Sequence, residues 1–149
     1  MSVLTIRVCS NHDIHIIGEI TRTALREAYP DSFFETIGNY WPEGFLVAES
    51  GGQIVGFVMG IISGVKQARI LMLAVQEPYR RNGIASTLIR SFKSSCLMKG
   101  LDSIILEVRI SNTPAINLYG KFGFKLTSTL RGYYRDGEDG YRMELVLQS

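Results

Sequence analysis

The segment Arg80-Arg81-Asn82-Gly83-Ile84-Ala85-Ser86 sets two guanidinium groups and a glycine in front of a run whose apolar residues Ile84, Ala85, Leu88, Ile89, Phe92 and Cys96 share one helical face. A helix that begins there presents unpaired N–H groups and the positive end of its dipole. Such a place binds phosphate. Gly83 allows close backbone approach to an anion, and Ala85 keeps the first turn narrow. No Gly-Lys-Ser/Thr follows, so this is not the loop of the nucleoside triphosphatases, and the three glycines of the dinucleotide fingerprint are missing. What remains is a pyrophosphate held by a different loop. Read alone, the segment fits a charged loop opening a helix equally well.

A second segment, Leu106-Glu107-Val108-Arg109-Ile110-Ser111-Asn112-Thr113-Pro114-Ala115-Ile116-Asn117-Leu118-Tyr119-Gly120-Lys121-Phe122-Gly123-Phe124, carries a carboxylate and a phenol. Together the two segments resemble the GNAT acetyltransferase superfamily, whose loop reads Gln/Arg-x-x-Gly-x-Gly/Ala and whose later region reads Asn-x-x-Ala-x-x-x-Tyr-x-x-x-Gly-Phe. Both patterns occur in order, and their joint occurrence is far more specific than either. The resemblance extends over nearly the whole chain. It narrows to the N-terminal acetyltransferases through Leu106 to Arg109, Ser111-Asn112 and Tyr133-Tyr134-Arg135-Asp136-Gly137-Glu138-Asp139-Gly140-Tyr141, which look like the bacterial ribosomal-protein alanine acetyltransferases and the catalytic subunit of the NatA complex.

The resemblance implies acetyl-CoA as cosubstrate, with no metal. It assigns the backbone of Leu73, Ala74 and Val75 to the acetyl and pantetheine end, where an N–H can polarise the thioester carbonyl and stabilise an oxyanion. It assigns Arg80, Arg81, Asn82, Gly83, Ile84, Ala85 and Ser86 to the pyrophosphate, and Asn112 to the pantetheine arm. Tyr29-Pro30-Asp31 stands where the family has its substrate loop, with Asp31 one methylene shorter than the family's usual Glu. Glu107 is the candidate general base, directly or through a water, and Tyr119 the candidate acid for the departing thiolate. They lie twelve residues apart across one strand-to-helix connection, a spacing that can bring both side chains to one end of a cleft. On the plainer reading Glu107 is an exposed strand carboxylate paired with Arg109, and Tyr119 a core aromatic beside Ile116. Tyr133, Tyr134 and Tyr141 lie on or near the last hairpin and could line a peptide cleft or serve as ordinary sheet aromatics, and Asp136 to Gly140 reads as a solvated turn.

The elements that must hold these groups follow from periodicity. Val3 to Val8 alternates, and Ser10-Asn11 can cap a helix carrying Ile14, Ile17, Ile20, Ala24 and Ala28. Tyr29-Pro30-Asp31 breaks that helix, and a short helix or loop runs from Ser32 to Trp41. Phe45–Ala48 and Ile54–Ile62 flank Gly51-Gly52 as a hairpin, and Ala68–Val75 is a buried strand. Gly100 can end the helix that begins near Ile84, and Ile104, Leu106 and Val108 face one way on the next strand. Thr113-Pro114 reads as a capping hydroxyl before a first-turn proline, opening a helix through Phe122. Phe124–Leu130 and Tyr141–Leu147 close the chain as strands. The expectation is one α/β domain over residues 1–149, a mixed seven-stranded sheet flanked by about four helices.

Composition bounds the function. Sixteen basic against fourteen acidic residues leave +2, unlike a dedicated nucleic-acid binder. Cys9 and Cys96 lack zinc-site spacing and read as reduced thiols, while His12 and His15 lie remote from both motifs, at or near the surface. Polar residues follow Val3, Leu4 and Ile6 before a signal-peptide core can form, and no apolar run reaches a membrane span. A soluble, cytoplasmic protein without membrane or specific nucleic-acid partner is expected. The acceptor is expected to be a protein or peptide N-terminus, with room for an auxiliary or ribosomal partner. An α-amine has a reference pKa near 8 and costs roughly 1.4 kcal/mol to neutralise at pH 7, against about 4.6 kcal/mol for lysine. Small-molecule amines, lysines and a catalytically silent acyl-CoA-binding module remain the alternatives.

Overall fold

A computed structural model describes residues 3–147; the outermost positions of the expected 1–149 domain lie outside them. The apolar runs fold as β1 (Leu4–Val8), α1 (Ile14–Ile20), α2 (Asp31–Tyr40), β2 (Phe45–Ser50), β3 (Gln53–Ile62), β4 (Gln67–Val75), α3 (Ile84–Met98), β5 (Ser103–Arg109), α4 (Thr113–Lys121), β6 (Lys125–Leu130) and β7 (Gly140–Val146). Seven strands form one sheet in the order β1-β2-β3-β4-β5-β7-β6. The mixed α/β architecture with seven strands and four helices is the one expected. Among the described residues no helix is long and apolar enough to cross a membrane.

Two compact units are distinguished along the chain, one made of residues up to Ile61 with Leu71–Ser95, the other of Ile62–Ile70 with residues from Cys96 onward. In the first, β1, β2 and β3 run antiparallel, and the β2–β3 turn takes positive φ at both Gly51 (59°) and Gly52 (78°), as a tight two-residue hairpin requires. One face of β2 and β3 supplies Phe45, Val47, Phe57 and Met59 to a core completed by Ile14, Ile17 and Ile20 of α1, Phe34 of α2, and Met72 and Ala74 of β4. Gly56 is part of this design. A Cβ there would stand 2.8 Å from the carbonyl oxygen of Ala74, so β3 passes close to the end of β4 only without a side chain.

Helix α1 is shorter than its apolar spacing suggests. After Ile20 the backbone widens into a π-turn, Thr21–Leu25, and stops at Arg26 in the left-handed region (φ 56°), leaving Ala28 outside. Thr21 Oγ1 donates to the carbonyl of Ile17 (2.8 Å) and Thr23 Oγ1 to that of Glu19 (3.0 Å). Such side-chain bonds draw carbonyls aside and bend helices, and π-turns recur at functional sites.

In the second unit β5 pairs in parallel with β4, from Gln67↔Ser103 to Ile70↔Leu106, and antiparallel with β7, which in turn carries β6. The buried side of this pairing is built from register neighbours, Ile104 with Leu145 and Leu106 with Met143. Gly100, at φ 77°, lets Leu101 N–H reach back to the Cys96 carbonyl (3.0 Å) and ends α3.

Candidate active site

In the first unit the end of β4 leads into a single 3-10 turn, Glu77–Tyr79, and then into α3. The corner is braced from several sides. Gln76 N–H donates to Val55 O (2.8 Å), Gln76 Nε2 to Ile54 O (2.8 Å), and Arg80 Nε to Val75 O (2.9 Å). Ala74 and Val75 are both buried, whereas Leu73 is half-buried. Arg80 is therefore a brace of this corner as well as a candidate phosphate ligand. Its backbone N–H is already given to Glu77 O (3.2 Å), so what it can offer an anion is the outer part of its guanidinium.

Beyond it the chain turns through two left-handed residues, Arg81 (φ 68°) and Gly83 (φ 75°). Thr87 N–H makes the first bond into the helix, to Gly83 O (3.0 Å), so the N–H groups of Ile84, Ala85 and Ser86 precede the helical ladder. A Cβ on Gly83 would meet no protein atom within 4 Å. The loop thus has the open side, the positive φ and the free helix end that suit a pyrophosphate. Asn82 Nδ2 is turned inward onto Tyr79 O (3.2 Å).

In the segment expected to hold the acceptor, Tyr29 stacks on Phe33 (4.6 Å between ring centroids), and its hydroxyl donates to Glu27 (3.0 Å). Pro30 is the residue before α2, and Asp31 opens the helix, where a first-turn carboxylate complements the dipole. A cavity of about 220 Å³ lined by Thr23, Ala24, Arg26, Glu77 and Arg80 brings the π-turn segment beside the candidate phosphate loop.

In the second unit the candidate base is deeply held. The Glu107 side chain is 7% exposed. Its Oε1 accepts from Arg69 Nε (2.8 Å) and forms an ion pair with Nη2 of the same guanidinium (2.6 Å), and its Oε2 accepts from Arg142 Nε (3.0 Å). Arg142 is the direct cross-strand neighbour of Glu107 on β7. Arg109 is not its partner. That guanidinium lies 4.2 Å over the Tyr134 ring and bonds Asp136 (2.9 Å) and Glu138 (2.8 Å). Ser111 N–H and Arg109 hold the Glu138 carboxyl below the usual range. The solvated turn expected at 136–140 is hence also pinned, with Asp136 and Gly137 exposed. Glu138 accepts from Ser111 N–H (3.1 Å), Asp139 from Gly132 N–H (2.7 Å), and Tyr134 N–H donates to Glu138 O (3.1 Å).

This loop fixes Tyr133 and Tyr134 edge to face at 5.0 Å. The Tyr133 oxygen accepts from Arg69 Nη2 (3.1 Å), and burial pushes the Tyr134 phenol up to about 12. Tyr119, 7% exposed, packs edge-on against Phe124 (5.5 Å). Burial, with a smaller effect from Tyr134, drives its phenol well above the ordinary value, so the hydroxyl keeps its proton at any physiological pH. Asn112, expected at the pantetheine arm, is the N-cap of α4. Its Oδ1 accepts from Ala115 N–H (3.3 Å), and Thr113, expected to cap, is the first helical residue.

Arg69 and Arg142 were not singled out by the sequence reading. A signal existed: each is a charge within a strand flanked by apolar residues, and such a charge needs a partner. Both thiols are free, and burial raises each to about 12. His12 is exposed, and His15, also exposed, pairs with Glu19 (3.2 Å).

The loop gives a direct test. Gly83→Val forces a β-branched residue to φ 75°, a region costing roughly 1–2 kcal/mol, and places its side chain on the open side of the turn. Calorimetry should show acetyl-CoA affinity falling by about tenfold or more in a folded variant, since 1.4 kcal/mol is tenfold. Unchanged affinity would remove this loop from the site.

Residues 14–124 match the acetyltransferase (GNAT) family model. An N-alpha-acetyltransferase of Sulfurisphaera tokodaii is 41% identical over 147 residues, covering 91% of this chain and 88% of that protein. The crystal structure of Ard1 from Thermoplasma volcanium superposes with a TM-score of 0.93 at 38% identity, covering 98% of this chain and 99% of that one. A chain of the NatC complex bound to Gag peptide and CoA gives 0.89 at 25% identity, covering 97% and 99%. With a family match over most of its length, and with relatives of this identity, the chain belongs to the acetyltransferase (GNAT) family.

Proposed function

We propose that this acetyltransferase transfers the acetyl group of acetyl-CoA to the α-amine of a protein or peptide N-terminus, by direct attack in a ternary complex. The observation that carries the reading is Glu107, a carboxylate more than nine-tenths buried, bonded at both oxygens, one of whose arginines also holds a tyrosine of the 131–139 loop. Relatives named N-alpha-acetyltransferase, and a related complex bound to peptide and CoA, support the same acceptor and donor.

Bound acetyl-CoA supplies an activated acetyl carbon. The residues of this chain do the rest. Backbone of Leu73 to Val75 orients the carbonyl, and the loop from Arg80 to Ser86 takes the pyrophosphate. The amide of Asn112 still has its Nδ2 for the pantetheine arm, because only Oδ1 is committed to the helix cap. Tyr29 to Asp31 and the pair Tyr133 and Tyr134 receive the acceptor. Glu107 accepts the amine proton through a water. The fixed guanidiniums keep its oxygens in one orientation, and Oε2, which takes only the bond from Arg142, retains a lone-pair direction for that water.

Tyr119 donates to the sulfur that leaves. A thiol with a reference pKa near 8.5 is more acidic than this phenol, so a completed transfer is uphill. Tyr119 therefore acts chiefly as a hydrogen-bond donor while the bond to sulfur breaks, and solvent returns the proton released by the amine.

The test is turnover with acetyl-CoA and short peptides differing in their first residue, read as thiol release and as a 42 Da (about one acetyl) mass gain on the N-terminal fragment. Cofactor binding without transfer to any amine would reduce the protein to an acyl-CoA-binding module.

A further inference from the structure

We infer that Arg69 is a positioning residue that couples acceptor binding to proton removal, an inference that rests on the assignment of Glu107 and Tyr133 above. Its guanidinium joins three elements: it sits on β4, donates to the β5 carboxylate of Glu107 through Nε (2.8 Å) with Nη2 in ion-pair contact (2.6 Å), and reaches Tyr133 in the β6–β7 loop through Nη2 (3.1 Å). Arg142 bonds the other oxygen of Glu107, Oε2.

The chemistry at Tyr133 follows from donor arithmetic. Arginine only donates, so the Tyr133 oxygen must accept, and the phenol's own proton is turned away from Arg69 and free to donate. The natural acceptor for that proton is a backbone carbonyl of the peptide whose amine Glu107 serves. One guanidinium thus sets the direction of a peptide-binding donor and the rotamer of the base. At 30% exposure its side chain remains partly open to an acceptor chain.

The experiment compares Arg69→Leu, Tyr133→Phe and the double variant, reading peptide affinity by calorimetry with CoA present, and kcat and KM separately. Arg69→Leu should weaken the peptide about tenfold and Tyr133→Phe about fivefold. The double variant should be no weaker than Arg69→Leu, because the hydroxyl contributes only when Arg69 orients it. The Arg69 change should lower kcat more than Tyr133→Phe does, and acetyl-CoA affinity should hold. Arg69→Lys retains charge without the fork, so it should recover kcat more than peptide affinity, and it serves if the leucine variant fails to fold. Multiplicative losses in the double variant, or unchanged peptide affinity in both Arg69 variants, would overturn the coupling. Full activity of Glu107→Gln would strike the base assignment while leaving the peptide-affinity cycle intact. A parent enzyme that neither binds nor acetylates peptides overturns both.

Discussion

Glu107→Gln is expected to lower kcat on a saturating peptide by about a hundredfold at pH 7, the usual contribution of a positioned base, while acetyl-CoA affinity stays within about twofold. The substitution keeps size and one acceptor oxygen but turns an amide N–H₂ toward a guanidinium where Arg69 or Arg142 had a carboxylate oxygen. Some stability should go too, since a hydrogen bond to a charged group contributes about 1.5–3 kcal/mol. Thermal melts must therefore fix a temperature at which the variant is folded. The diagnostic is pH. An α-amine with a reference pKa near 8 is increasingly neutral as pH rises, so the variant's rate should climb toward the parent's between about pH 7 and 9. Equal activity of parent and variant at every pH, with chemistry rate-limiting, would mean that the proton leaves by another route.

Tyr119→Phe is expected to cost about tenfold to a hundredfold in kcat with a deficit that does not recover with pH. The ring and its edge contact with Phe124 survive, so stability and cofactor affinity should change little. The sign follows from burial. Burial raises the phenol above its ordinary value, so Tyr119 is protonated on both sides of neutrality, and the parent should show no alkaline loss of rate from this group below about pH 10. A Phe variant that regains parental activity at high pH, as the Glu107 variant should, would show that the hydroxyl is not the donor to sulfur. The two profiles together separate base from acid, because only one of them depends on the charge of the amine.

How far the site was legible in the chain depended on whether its parts are local. The candidate phosphate loop is local. An arginine pair and a glycine in front of an amphipathic run suggest it, and the structure adds the left-handed turn at Arg81 and Gly83 and the bond from Arg80 to Val75. The strands were legible because alternation and glycine turns are local as well, as at Gly51-Gly52. The end of α1 was not. Apolar spacing continues to Ala28, whereas the π-turn at Thr21–Leu25 depends on threonine hydroxyls choosing backbone carbonyls. Asn112 and Thr113 are both good caps, and the choice between them rests on one side-chain bond to Ala115. The partner of Glu107 was missed for a different reason. Strand periodicity puts Arg109 on its face, but Arg69 and Arg142 become neighbours only through sheet register, thirty-eight and thirty-five residues away. Arg109 was meanwhile claimed by the 131–139 loop, whose acidic residues look like solvated turn chemistry until their targets are known.

The most direct measurement uses two versions of one peptide, each with a single internal lysine, one with a free N-terminus and one blocked there, incubated with enzyme and acetyl-CoA while thiol release is followed and the acetylated position is mapped. The free peptide should be acetylated at its α-amine, and the blocked peptide should react at least about a hundredfold more slowly, in line with the roughly 3 kcal/mol difference between neutralising a lysine and an α-amine at pH 7. Comparable rates on the two peptides, or acetyl found on the lysine of both, would contradict the account.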